Sequence, residues 1–224
     1  GDKNFEKLDS IFLPEAIWYD GPIGYSYDQI AGYATRWNES NSSEPTYVSS
    51  DNEYASYSMS SMPTEPVVAA TFNKELVERE GELFGEDGLW SNANSIAAPG
   101  LNIHRAPYCS RKHEYYSEDP LVAGVTAAST TLGVQSNEGI GVTIKHYAGN
   151  NQENNRNAVN NTITERALRE IYLKGFEIAV KTANPMAIMT SYNLNNSMPA
   201  ADDYDLCTDI PRGEWGFNGL IMTD

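Results

Sequence analysis

Four apolar runs in this chain end on side chains capable of chemistry. AIWYDG (residues 16–21) closes on Asp20, VTIKHYAG (142–149) carries Lys145 and His146, MAIMTSYN (186–193) leads to Tyr192, and LIMTD (220–224) stops on Asp224. An aspartate can accept hydrogen bonds from two neighbouring hydroxyls, while lysine, histidine or a nearby arginine donates to sugar oxygens. The set therefore suits a polyhydroxylated ligand. Carboxylates close to such cations stay ionised at neutral pH, and an ionised carboxylate in a sugar pocket is a candidate nucleophile. Plainer readings stand beside this one: a structural salt bridge for the Lys-His pair, and a turn acid for Asp20 in DGP. SEDP (117–120) reads as a helix cap, which places Glu118 and Asp119 outside the site. His104, His113 and His146 lack the spacing of a metal hydrolase, no strand is followed by a glycine-rich phosphate loop, and no cofactor is implied.

These runs, together with SIAAPG (95–100), are bounded by turn residues, as expected of strands buried on both faces. Helical segments lie between them. In RALREIYLKGFEIAVKTA, Leu168, Ile171, Tyr172, Phe176 and Ala179 follow an i, i+3, i+4 stripe, and Thr162 with Glu165 has capping-box spacing. Asp119-Pro120 marks another helix start. Alternating strands and helices imply a parallel sheet, either closed as a barrel or open and doubly wound. An open sheet serves its ligand from two or three strands at one switch point, whereas every barrel strand ends at one central mouth. Four strands with polar ends favour an α/β fold of the (β/α)8 TIM-like barrel type.

The 224 residues are 40% hydrophobic, enough for one large domain, and carry a formal charge of −16 from 31 acids against 15 bases. With no basic cluster longer than a pair, nucleic acid is a poor partner. No apolar run approaches a membrane span, and Cys109 and Cys207 are too few for a disulfide framework. The compartment stays open. Residues 23–66, rich in Tyr, Ser and Asn, read as a long loop.

Six ordered stretches, DGPIG, APGLNIHRAPYCSRKHEYYSEDP, VTIKHYAGNNQENNR, ERALREIYLKGFEIAVK, IMTSYN and EWGFNGLIMTD, resemble the successive motifs of glycoside hydrolase family 3, especially its bacterial β-glucosidases. The resemblance implies roles for individual positions. Asp224 matches the nucleophile that forms the glycosyl-enzyme intermediate, and Asp20 the acid that grips the outer sugar hydroxyls. Arg111, Lys145, His146 and Arg156 match sugar-contacting cations around it, and Tyr192 a tyrosine set against the nucleophile. Ser110, Lys112-His113, Pro211 and Thr223 depart from the family pattern, and Pro211 predicts a later start for the helix before the last strand. KHYAGNNQ differs from the KHFPGHG of the N-acetylglucosaminidase branch, which argues against that branch, and Asp20 with its neighbours resembles a glucose-type rather than a xylose-type pocket.

The same resemblance implies that residues 1–224 are a partial barrel, incomplete at both ends, whose acid/base glutamate belongs to a second α/β domain. Glu114, Glu118 and Glu153 lie in segments that read as structural. The expected substrate is a β-glucoside or oligosaccharide hydrolysed from its non-reducing end with retention, and the expected partner is the missing C-terminal domain. A β-xylosidase, or a sugar-sensing module that has lost catalysis, are the alternatives.

Overall fold

The computed structural model describes residues 4–5, 7–11, 16–25, 61–91 and 93–224. Of the stretch expected to form a long loop over 23–66, residues 26–60 lie outside the described residues. The strands are β1 (Asn4–Phe5), β2 (Ala16–Asp20), β3 (Ser95–Ala97), β4 (Gly141–Tyr147), β5 (Asn160–Asn161), β6 (Ala187–Thr190), β7 (Leu194–Asn195), β8 (Met198–Pro199) and β9 (Leu220–Met222). The main sheet runs β1-β2-β3-β4-β6-β9, and a small one runs β5-β7-β8. β1 is antiparallel to β2, and every other neighbouring pair in the main sheet is parallel. All five apolar runs are therefore strands, laid side by side in chain order. The sheet curls as a partial (β/α)8 barrel.

Helices fill the connections: α1 (Glu65–Ala69), α2 (Lys74–Trp90), α3 (Pro120–Gln135), α4 (Glu165–Ala167) and α5 (Lys174–Ala183). A sheet covered on its outer face by helices buries whole strands, and β4 is buried at all seven positions. Ile96, Val142, Ile144 and Ile188 form its centre. Tyr147 makes edge contacts with Phe176 at 5.1 Å and Trp215 at 5.9 Å, tying β4 to the outer layer.

Asp119 caps α3 as expected, its Oδ1 accepting from Leu121 N at 2.7 Å and Val122 N at 3.3 Å. The cap before α4 is Thr164 rather than Thr162, because Asn196 bonds both the N–H and the C=O of Ile163 at 2.9 Å and keeps that residue outside the helix. Beyond α4, a π turn over Leu168–Tyr172 closes with Leu173 N donating to Leu168 O at 2.8 Å. The extra residue rotates the apolar stripe by about 100°. Leu168, Phe176 and Ala179 are buried as expected, but Ile171 turns outward and Leu173 takes the inner position. The helix before β9 is not delayed by Pro211: it begins at Asp205 and continues through the proline as wide π turns to Glu214. A wider turn tolerates the missing proline N–H.

α2 packs on α3 and α3 on α5. The first contact is close enough that a Cβ on Gly133 would lie 2.1 Å from Glu78 O, and one on Gly81 would lie 2.6 Å from Thr130 O. In an open helix, alanine is favoured over glycine by about 1 kcal/mol. Here the facing backbone reverses that preference. Gly133→Ala should destabilise the protein by about 1–3 kcal/mol through overpacking, read as a lower urea midpoint; an unchanged or higher midpoint would show that the helices are free to separate.

Candidate functional site

The site grows from two consecutive buried residues of β4, Lys145 and His146. Lys145 Nζ lies 3.1 Å from Asp20 Oδ1, 3.3 Å from Glu114 Oε2 and 3.2 Å from the carbonyl of Gly21. Two of its donors thus have hydrogen-bond acceptors and Glu114 adds a second anionic partner, the compensation that a buried ammonium requires. The two carboxylates differ in setting: the Asp20 side chain is 42% exposed and that of Glu114 is 5% exposed. Asp20 is thus the member of the trio that can meet a ligand. Glu114 uses its second oxygen to accept from Arg111 Nε.

Arg111 Nη2 lies 2.9 Å from His146 Nε2. Arginine has no acceptor, so Nε2 accepts, and the imidazole proton sits on Nδ1, 3.0 Å from Tyr115 Oη. Asn102 fixes the backbone of the same histidine, donating to its carbonyl at 2.9 Å and accepting from its N–H at 2.8 Å. Burial pushes the Tyr115 phenol well above its ordinary range, so it stays a neutral hydroxyl. Burial also opposes the Arg111 charge, but the Glu114 and Glu153 carboxylates outweigh it and hold that guanidinium protonated.

The wall continues past Tyr115. Asn150 Nδ2 donates to Tyr115 Oη at 3.0 Å and to Glu153 Oε1 at 3.1 Å, and Glu153 Oε2 pairs with Arg156 Nη1 at 3.1 Å. The Arg156 guanidinium lies over the Tyr192 ring, 4.6 Å from its centroid. Asp224 closes the arrangement, its Oδ2 3.7 Å from His146 Nε2 and its carboxylate near enough to Tyr192 to act on the phenol. Partial burial, then the Asp224 charge, raises the Tyr192 phenol, which therefore remains a donor.

The structure brings Asp20, Arg111, Lys145, His146, Arg156, Tyr192 and Asp224 into one network. Sequence reasoning missed the groups that join them: Asn102, Tyr115 and Asn150. Glu114 and Glu153, which read as structural, form ion pairs with the site's cations, while Glu118 stands outside with Asp119 at the α3 start. One signal was available in NNQENNR, where Asn150, Glu153 and Arg156 recur every three residues. Among the described residues, no group of three or more His, Cys, Asp or Glu side chains could hold a metal ion.

A wall of ionised acceptors and fixed donors around a half-exposed Asp20 and a carboxylate at the mouth can grip vicinal hydroxyls and present an oxygen nucleophile. Comparison with known proteins gives the family. The family model for the "Glycosyl hydrolase family 3 N terminal domain" matches residues 23–224. Beta-glucosidase A of Butyrivibrio fibrisolvens is 43% identical over 98% of this chain and 24% of its own length. The exo-alpha-(1->6)-L-arabinopyranosidase of Bifidobacterium longum is 44% identical over 72% of this chain and 21% of its own. Beta-glucosidase 3B of Thermotoga neapolitana, solved with glucose, superposes with a TM-score of 0.85 at 39% identity, covering 99% of this chain and 28% of that one. The chain spans 17–24% of the length of the curated relatives it matches.

Removing Lys145 tests how the site is held. Lys145→Met would leave Glu114 buried with Arg111 alone and Asp20 without its ammonium. A loss of about 3 kcal/mol is expected in urea, with an unchanged m-value. A loss below about 0.5 kcal/mol would mean that the cation is not needed for folding.

Proposed function

Because the chain belongs to glycosyl hydrolase family 3, we propose that it forms the sugar-binding and nucleophile-bearing part of a retaining, exo-acting β-glucosidase. The observation that carries this reading is Asp224, set beside His146 and Tyr192 at the mouth that Asp20, Lys145 and Arg111 also line.

In this reading Asp20 accepts from the outer hydroxyls of a terminal β-glucosyl unit. Lys145, Arg111 and Arg156 keep the surrounding carboxylates anionic and donate where the sugar presents oxygens. His146 is the neutral Nδ1–H tautomer, so Asp224 faces a polar ring rather than a full positive charge and keeps its nucleophilicity. One Asp224 oxygen attacks the anomeric carbon as the glycosidic bond breaks, giving a glycosyl ester. Tyr192 donates to the aspartate in the free state and is placed to release it as the ester forms.

The leaving oxygen needs a proton from a second carboxyl about 5–5.5 Å from the first in a retaining enzyme. Glu114 and Glu153 are occupied by Lys145, Arg111, Arg156 and Asn150. The reading therefore assigns the acid/base to a residue outside these 224, where it later activates the water that cleaves the ester. The share of each relative's length that this chain covers supports that assignment.

A second reading rests on the arabinopyranosidase relative: the terminal sugar is α-L-arabinopyranose, which also has an equatorial anomeric bond. The two nitrophenyl glycosides separate them by kcat/KM.

In the full-length protein, Asp224→Ala should lower kcat on an aryl β-glucoside by about 10,000-fold or more, with azide restoring turnover as the α-glucosyl azide. Retention of more than about a tenth of kcat would exclude Asp224 as the nucleophile. Asp20→Asn should raise KM by roughly 10- to 100-fold, through loss of a charged acceptor worth about 1.5–3 kcal/mol; a parent-like KM would remove Asp20 from the sugar site.

A further inference from the structure

Behind the Lys145 cluster lies a third carboxyl that the proposed mechanism does not use. Glu65, in the first turn of α1, is 4% exposed. Its Oε1 accepts the backbone N–H of Gly100 at 3.2 Å, while its Oε2 has no hydrogen-bond partner among the described residues. Gly100 is the seam of the site. It bridges to both Tyr115 and Lys145, with Lys145 N donating to Pro99 O at 3.0 Å and Leu101 N donating to Lys145 O at 2.7 Å. The seam is tight, since a Cβ on Gly100 would lie 2.3 Å from Glu114 O and 2.6 Å from the Tyr115 ring. The Gly100 N–H is buried with it, so the glutamate satisfies a donor that would otherwise be orphaned.

Charge decides the state in which Glu65 can do this. Lys145 already carries Asp20 and Glu114, and Arg111 carries Glu114. An anionic Glu65 would add a buried charge beside Glu114 and compete for Lys145. The groups it senses are Glu114, Lys145, Glu80 on α2, and the buried phenol of Tyr116. Burial first, then Glu114 and Glu80, pushes Glu65 well above the ordinary glutamate range, against the Gly100 hydrogen bond and Lys145. Burial also lifts Glu80, to about 7.

We propose that Glu65 is a positioning residue for the sugar site: as an uncharged carboxyl it holds the Gly100 amide, and through it sets Lys145 against Asp20 and Glu114. The link to sugar binding rests on the glycosidase reading above, whereas the uncharged hold does not.

The sign of the stability effect follows from proton counting. A carboxyl that keeps its proton in the folded state but loses it in the unfolded one makes stability fall as pH rises from about 4.5 through the raised folded value. Glu65→Gln keeps the acceptor and cannot ionise. In the full-length protein E65Q should melt above the parent, by a margin that grows between about pH 5 and 8 to a few degrees, with KM on an aryl β-glucoside within about twofold of the parent. Glu65→Leu removes the acceptor and should raise KM about tenfold, with a smaller change in kcat. E65Q melting below the parent at pH 7–8 would show that the ionised form is required and overturn the proposal. So would an E65L variant with parent-like KM. Failure of the parent to hydrolyse any glucoside would count against the glycosidase reading instead, and the melting comparison would still judge Glu65.

Discussion

A buried ammonium organises this molecule. Removing Lys145 from water without compensation would cost several kcal/mol, and β4, buried along its whole length, offers it no route to the surface. Asp20, the adjoining Gly21 carbonyl and Glu114 supply the compensation from two separate stretches of chain. That need fixes the end of β2 against β4 and draws the 111–115 segment over the mouth of the sheet. Because the two carboxylates differ in exposure, the same pairing that stabilises the fold leaves Asp20 facing outward.

From Glu114 the constraint passes along a chain of directional groups. Arg111 joins Glu114 to His146, Tyr115 joins His146 to Asn150, and Asn150 joins through Glu153 to Arg156 and the Tyr192 ring. Each link restricts the next: the arginine selects the histidine tautomer, and that tautomer determines what Asp224 meets. A partial barrel can gather these groups because its parallel strands all end on one side, so residues as far apart in sequence as Asp20 and Asp224 share a mouth.

What could be read in the sequence follows from this geometry. Strands covered on both faces are written as continuous apolar runs, and a polar residue at the end of such a run has few explanations other than the site; this is why β2, β4, β6 and β9 and their terminal residues were legible. Glu114 and Tyr115 were not, because they lie in and just after a single 3-10 turn, too short for any period to separate a group facing the site from one facing solvent; Asn150 left only the three-residue spacing with Glu153 and Arg156. The π turn at Leu168–Tyr172 is likewise absent from the helical stripe, which assumes an unbroken 3.6-residue period. Thr162 failed as a cap for a tertiary reason: Asn196, far along the chain, takes both backbone groups of Ile163 and keeps it outside the helix. Glu65 fell within the stretch read as a long loop, and only its burial against Gly100 distinguishes it.

The central claim is that this network exists to hold a sugar against Asp224. Its most direct test is covalent trapping: the full-length protein is incubated with a 2-deoxy-2-fluoro-β-glucosyl fluoride, digested, and the modified residue located by mass spectrometry. The account predicts one fluoroglucosyl ester, on Asp224. A label on any other carboxylate, or saturable sugar binding with no label, would contradict it.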